Sequence, residues 1–369
     1  MKAKKIGLFG GTFNPLHQGH LNVAQYALDN LNLDEVWLIP TFETPNKNSV
    51  YNITPSQRLT IIKKAISNLD NIKVKDIESK VKETSYTSVT VKKLINKYPD
   101  VDFYLLMGDD SFNSLETWKD FNYIVNSIKI VVFNRTGTLT NSTSKIANPI
   151  VMKNPKWDVS SSIVRKGYFS KVPEQAKKYI SSNFLYLEEI AENDLSVNRY
   201  NHTISVANCA RDIAKGNKSI NEKFAYFAAI AHDITKEWSD GELYSFVAKY
   251  EGNNVRNIHP SVMHAYAGYY WWLNVYGSNN KKIANAILHH TTGCEKMSPL
   301  DKCIYVADKI ASNRKFEDIE IIRATSKYNL NMAFKQLITN QFKHLKKEIG
   351  VSKIDENTVK AYKTYGDFN

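Results

Sequence analysis

Residues 10–20 read Gly-Gly-Thr-Phe-Asn-Pro-Leu-His-Gln-Gly-His, and no other stretch limits the fold of this chain so tightly. The apolar residues 5–9 before it predict a strand. After it Val23, Ala24, Ala27, Leu28 and Leu31 recur at helical spacing. A glycine turn between a strand and a helix start gathers backbone N–H groups and the positive end of the helix dipole, which favours bound phosphate. The run is not a Walker loop, because no Gly-Lys-Ser/Thr follows the turn. It is not the G-x-G-x-x-G dinucleotide fingerprint either. Gly10, Gly11 and Thr12 are the expected phosphate cradle, with His17 and His20 as two imidazole donors beside it.

Up to about residue 188 strand and helix patterns alternate. Residues 36–40, 72–77, 103–107 and 128–133 read as strands. Residues 55–66, with Leu59, Ile62 and Ile66 on one face, and residues 89–95 read as helices. Such alternation predicts an α/β doubly wound parallel sheet, Rossmann-like, with ligands beyond the carboxyl ends of its strands. After about residue 193 the alternation stops and helices dominate. We therefore expect a first domain over 1–188, a polar linker over 189–196 and an all-α domain over 197–369.

The chain has 369 residues, enough for two such domains. Its net charge of +12 is dispersed, without a block of like charges. That suits anionic ligands and gives no specific case for nucleic acid. Cys209, Cys294 and Cys303 form no C-x-x-C pair, which suits a reducing cytoplasm. The amino terminus does not read as a signal peptide, and no apolar run reaches membrane-spanning length.

The His17-Gln18-Gly19-His20 run resembles the H-x-G-H signature of the nucleotidyltransferase superfamily. Its longer form resembles nicotinate-nucleotide adenylyltransferases, and further segments in order carry the likeness. Lys47 matches the end of the loop after the second strand, although Asn46 stands where the family has histidine. Ser85-Tyr86-Thr87 is similar to the family's S-Y-T segment. Gly108-Asp109-Asp110-Ser111 followed by Trp118 is similar to its G-x-D-S…W stretch. Asn134-Arg135 resembles the end of its fifth strand, and residues 159–165 resemble its I-S-S-T-x-I-R helix start. Asn14 stands where many relatives have Asp. The resemblance implies ATP and phosphate binding by Gly10, Gly11, Thr12, Lys47, Asp110, Ser161, Ser162 and Arg165, with Mg²⁺ accompanying ATP. It implies nicotinate mononucleotide binding by Ser85, Tyr86, Thr87, Trp118 and Arg135. Trp118 taken alone reads as a core aromatic before it reads as a ring stacker.

In the second half, apolar helix faces each carry a ligand-type residue. His202 aligns with Val206, Cys209 and Ile213. His232, with Asp233 next to it, aligns with Phe224, Ala225 and Ala228. His264 aligns with Ala267, Gly268 and Trp271, His290 with Ile283, Ala286 and Ile287, and Asp308 with Leu300, Ile304 and Ala307. A buried carboxylate without a partner is costly. Four histidines and two aspartates without thiolate suit one or two Fe, Mn or Mg ions, with Zn less suited. His232-Asp233 is the dipeptide of the HD phosphohydrolases, and the set resembles the bacterial branch that splits diadenosine tetraphosphate symmetrically. Arg199-x-x-His202-Thr203, His232-Asp233-x-x-Lys236, His264-Ala265, His290-Thr291-Thr292-Gly293 and Asp308…Arg314 carry that likeness. Ala311-Ser312 stand where the branch has Glu-Pro. The resemblance implies Asp233 and Lys236 as catalytic residues, and Arg199 and Arg314 as substrate contacts. His259 and His344 read as solvent-facing.

The chain thus reads as a fusion. One half would make nicotinate adenine dinucleotide from ATP and nicotinate mononucleotide. The other would hydrolyse a dinucleoside polyphosphate at a metal centre. Two alternatives stay open for the helical half: another nucleotide as substrate, or a non-catalytic nucleotide sensor. The residues alone do not choose between the acid and amide forms of the mononucleotide.

Overall fold

The structure is a computed structural model that describes residues 3–41, 53–77, 86–134 and 148–367. Lys47, Ser85 and Arg135, expected at the nucleotide site, lie outside the described residues. The chain divides into two compact units, Met1–Ile180 and Ser181–Asn369, a division eight residues before the expected 188.

In the first unit the order is β1 (Lys4–Gly11), α1 (Gln18–Leu31), β2 (Glu35–Pro40), α2 (Pro55–Ala65), β3 (Ile72–Val74), α3 (Thr87–Lys97) and β4 (Val101–Gly108). Then come α4 (Asp109–Phe112), α5 (Phe121–Ser127), β5 (Lys129–Phe133), β6 (Ile150–Met152) and α6 (Ser161–Arg165). The strands form one sheet in the order β3-β2-β1-β4-β5-β6, and every pairing is parallel. Strands covered on both faces become continuously apolar, and all six residues of β2 are buried. One side of the sheet packs Ile6, Leu8, Trp37, Phe103 and Leu105 against Val91, Leu94, Phe112 and Ile124. The chain winds outward from β1 in both directions, so the switch point lies between β1 and β4. The segments that follow these two strands, residues 12–17 and 109–110, begin there.

Two details differ from the sequence reading. Ile62 and Ile66 are buried as expected, but Leu59 is only half-buried, and Arg58, Ile61 and Ala65 share the buried side of α2, which therefore includes an arginine. β6 was not expected, because three apolar residues show no measurable period.

α7 (Glu174–Ser182) leads into the second unit, which is helical. It contains α8 (Leu187–Asp194), α9 (Val197–Gly216), α10 (Glu222–Ala231), α11 (Asp240–Glu251), α12 (Met263–Tyr270), α13 (Lys281–His289) and α14 (Pro299–Ile310). It ends with α15 (Ile319–Tyr328), α16 (Leu330–Ile349) and α17 (Glu356–Tyr365). The segment read as a linker is mostly α8, which buries Leu187, Ile190 and Ala191. No helix among the described residues is long and apolar enough to cross a membrane.

Side-chain caps start many of these helices. Ser196, Asn221, Ser239, Asn280 and Ser298 each accept a hydrogen bond from a first-turn N–H. The end of α9 meets the end of α15 closely. Asn217 Nδ2 donates to Ser326 O at 3.1 Å, and a Cβ at Gly216 would lie 1.7 Å from Lys327 O. Gly216→Ala should therefore destabilise the second unit by about 1–3 kcal/mol. Loss of helical circular dichroism at a lower temperature than in the unmodified chain checks it.

Candidate active sites

In the first unit His17 is the residue before α1 and is 4% exposed. Its backbone N–H donates to His20 Nδ1 at 3.2 Å. With Nδ1 accepting, the proton of His20 sits on Nε2, the form that can donate to a phosphate oxygen. The two rings stack with centroids 3.7 Å apart, and Phe13 meets His20 edge-on at 5.0 Å. The imidazoles are thus fixed in orientation before any ligand arrives.

Segments distant in sequence close around this loop. Ser161 Oγ donates to Pro15 O at 3.0 Å, and Arg165 Nη1 donates to Asn14 O at 2.6 Å. A Cβ at Gly19 would lie 2.7 Å from Val159, so only glycine lets the segment before α6 approach α1 this closely. Ser160 Oγ caps α6 by accepting from Ile163 N–H and lies 2.8 Å from Ser162 Oγ. Gly10, Gly11, Thr12, His17, His20, Ser161 and Arg165 therefore gather at the carboxyl end of β1.

After β4, Asp109 is buried and accepts from Asp110 N–H at 2.9 Å, while Asp110 is exposed at the first turn of α4. Tyr86 is exposed at the start of α3. Lys119 Nζ lies 4.6 Å from the centre of its ring, which brings the turn bearing Trp118 to Tyr86 and Thr87. Trp118 is half-buried and packs against the core on that side of the sheet.

In the second unit the six expected ligands come together. His202 is on α9, His264 on α12 and Asp308 on α14. His232 and His290 lie one residue past α10 and α13, just beyond the helical faces on which they were expected. Both use the same device: Nδ1–H donates to the carbonyl three residues back, Ala229 and Ile287, at 2.6 Å in each case. That fixes the tautomer and turns Nε2 inward.

Asp233 is at the centre, 3% exposed. His264 Nε2 and His290 Nε2 each lie 3.5 Å from its Oδ1, and His232 Nε2 lies 3.5 Å from its Oδ2. Two donor triads share it, His202–His232–Asp233 and Asp233–His264–His290, each with ligand atoms within 4.8 Å of one another. Asp308 Oδ1 is 3.1 Å from His202 Nε2 and 3.9 Å from His232 Nε2. His232 Nε2 and Asp233 Oδ1 are buried without a hydrogen-bond partner. Buried lone pairs turned toward one another are what a divalent cation satisfies, so the donor set fits one or two such ions.

Burial pulls the His232 pKa down, but the Asp233 charge outweighs it and the net shift is upward. Burial raises Asp233, yet His232 and His290 hold it well below the usual carboxylate range. Burial and the neighbouring His290 and Lys236 press His264 down to about 3, which favours its neutral form.

Cations ring the carboxylates. Arg199 Nη1 meets Asp233 Oδ2 at 3.0 Å, and Arg314 Nη2 meets Asp308 Oδ1 at 3.2 Å. Lys236 Nζ lies 3.2 Å from His264 Nε2 and 3.3 Å from its Nδ1. Three contributors have no role assigned from the sequence, Thr291 being read there only as part of the His290–Gly293 motif. Lys309 Nζ donates to His290 O at 3.1 Å, and burial lowers its pKa to about 8. Thr291 Oγ1 lies 3.0 Å from His290 Nε2. Asn313 faces His202 Nδ1, with its Nδ2 3.0 Å and its Oδ1 3.4 Å away. Lys309 and Thr291 adjoin ligands in sequence, a signal that was available. His289 turns from the centre toward Asp301, 3.4 Å away.

The fold and sites define a nucleotidyltransferase-type α/β unit followed by an HD domain. The family model described as Cytidylyltransferase-like matches residues 8–167, and the one described as HD domain matches 199–313. A relative named "Probable nicotinate-nucleotide adenylyltransferase/Ap4A hydrolase", from Mycoplasma genitalium, is 30% identical over 92% of this chain and 97% of its own. A "Probable nicotinate-nucleotide adenylyltransferase" from Flavobacterium psychrophilum is 35% identical over 49% of this chain and 98% of its own. A solved structure titled as a predicted HD superfamily hydrolase involved in NAD metabolism, from Clostridium acetobutylicum, is 27% identical. It covers 48% of this chain and 94% of its own, with a TM-score of 0.44. The chain belongs to the nicotinate-nucleotide adenylyltransferase family, with an HD domain fused behind the transferase.

Two outcomes test these assignments. His20→Ala should lower kcat for dinucleotide synthesis by about 10²-fold, the usual cost of a lost charge-stabilising donor, in steady-state kinetics. His232→Ala should strip divalent metal from the second unit, read by elemental analysis, and leave dinucleotide synthesis close to the unmodified rate.

Proposed function

We propose that the first unit transfers the adenylyl group of ATP to nicotinate mononucleotide, giving nicotinate adenine dinucleotide and pyrophosphate. The second unit hydrolyses a dinucleoside polyphosphate, diadenosine tetraphosphate in the reading we favour, to two ADP. The gathering of His17, His20, Ser161 and Arg165 at the carboxyl end of β1 supports the first half. The two triads sharing Asp233 carry the second.

For the transfer, the attacking oxygen belongs to a phosphate that is already anionic, so no strong base is required. The protein must align that oxygen with the α-phosphorus and neutralise the charge that builds there. His20 Nε2–H and the His17 ring face that charge. Ser161, Ser162 and Arg165 orient the phosphates that leave, together with Lys47 and the Mg²⁺ that arrives with ATP. Tyr86, Thr87 and Trp118, with Ser85 and Arg135, receive the pyridine nucleotide. Asp110 takes the ATP side.

For the hydrolysis, His202, His232, Asp233 and Asp308 would hold one ion, and Asp233, His264 and His290 a second, of Fe, Mn or Mg. When bound, such ions supply Lewis-acid charge and an activated water. Arg199 and Arg314 already lean on carboxylates, and a polyphosphate gives them a second anion to bind. Lys236 sits on the same rim and neutralises the departing phosphate. Hydrolysis at the central bridge leaves two identical products, so phosphate contacts on both sides of the cut are required.

Pure protein given ATP, nicotinate mononucleotide and Mg²⁺ should yield the dinucleotide, identified by mass. Given diadenosine tetraphosphate with Mn²⁺ or Fe²⁺, it should yield ADP alone. ATP plus AMP would refute symmetric cleavage, and no product at all would favour the sensor reading. Lys236→Ala should lower hydrolysis at least tenfold while retaining metal, because the lysine is not one of the donors. Elemental analysis beside the assay decides that.

A further inference from the structure

Arg58 has no part in the chemistry described so far, yet it is 6% exposed in the first turn of α2. A guanidinium cannot shed its charge, so its burial requires anionic or carbonyl partners. Its partners include two backbone carbonyls from two different segments. Nη1 donates to Thr12 O at 2.8 Å and to Thr41 O at 2.8 Å. One nitrogen thus holds two oxygens within twice that distance of each other. Thr12 is the first residue after β1, in the loop that leads to His17. Thr41 is the first residue after β2, and its own N–H donates to Gly11 O at 3.1 Å.

These contacts sit where chemistry would use them. In a trans peptide the C=O and the following N–H point in opposite directions. Fixing Thr12 O toward α2 therefore fixes the direction of the Phe13 N–H in the phosphate loop. Phe13 is in the left-handed region at φ 47° with its ring buried, a conformation that surrounding contacts must impose. Arg165 holds Asn14 O from the other side. Two arginines on two different helices thus bracket Phe13 by its neighbours' carbonyls. An apolar side chain of similar length could fill the same space but could hold neither carbonyl.

We propose that Arg58 is a positioning residue for adenylyl transfer. It sets the phosphate loop against the carboxyl end of β2, and so sets the direction of the loop's N–H donors, without touching substrate. A misplacement of about 1 Å at such donors costs up to about 10²-fold in rate. The test uses the full chain with Arg58→Met, which keeps bulk and removes the donors, and Arg58→Lys, which keeps charge and part of the reach. Steady-state kinetics with ATP and nicotinate mononucleotide, equilibrium binding of a non-hydrolysable ATP analogue and thermal unfolding are measured on each. The expected result is kcat lowered about 10²-fold in Arg58→Met and about 10-fold in Arg58→Lys. Both KM values and analogue affinity should stay within about threefold of the unmodified chain. A kcat within twofold of the unmodified value in both variants overturns the proposal. So does a loss of kcat that follows the loss of folded protein and of analogue binding in proportion, because that is a purely structural role.

Discussion

Everything in the helical unit is arranged around one carboxylate that water does not reach. Asp233 would be intolerable in a protein interior if its charge were unbalanced. Three imidazole nitrogens stand 3.5 Å from its oxygens and a guanidinium 3.0 Å away. That condition propagates outward. His232 and His290 can turn Nε2 inward only because Nδ1 is spent on the last turn of the helix each one follows. Breaking a buried charge pair by deleting one partner typically costs about 3–5 kcal/mol. The same residues that define the chemistry therefore also constrain how five helices can be placed.

The transferase unit meets a different constraint. Its site is made largely of backbone, and backbone at the edge of a sheet has no ladder to hold it. Side chains from later segments supply the hold. Arg58 and Arg165 take the carbonyls of Thr12 and Asn14, and Ser161 takes that of Pro15. Beyond β5, Asn154 accepts from Asn134 N–H at 2.9 Å and donates to Asn134 O at 3.0 Å, copying both bonds of a strand neighbour. Each of these contacts spans more than 20 residues of sequence or closes the end of a strand.

That difference explains what could be seen in the sequence. Strands and helices of the first unit were legible because parallel strands are continuously apolar and helices carry a stripe. The six residues expected as metal ligands were legible because histidine and aspartate on apolar faces are conspicuous. Arg58 was not, since an arginine between Gln57 and Leu59 looks like any exposed helical cation; only its i+3 and i+4 spacing to Ile61 and Ile62 marks it. Asn313 was hidden because its partner His202 is 111 residues away. The supposed linker misled because Glu188, Glu189, Glu192, Asn193 and Asp194 outnumber the stripe formed by Leu187, Ile190 and Ala191.

The two units also show why polar sites take different forms on the two architectures. A parallel sheet delivers strand ends and helix starts to one edge, and helix starts have N–H groups without intrahelical partners. Backbone can then grip phosphate, and side chains such as His20 need only add donors where charge accumulates. Helices packed side by side offer nothing comparable at their centre, because their mid-helix backbone groups are bonded to one another. Whatever polarity the centre needs must come from side chains, and a dense cluster of them brings its own repulsion. Asp233 and Asp308 so close together are tolerable only with positive charge beside them. Arg199, Lys236, Lys309 and Arg314 supply part of it at the rim. The donors they leave buried and unpartnered, His232 Nε2 and Asp233 Oδ1, are the ones that call for an ion.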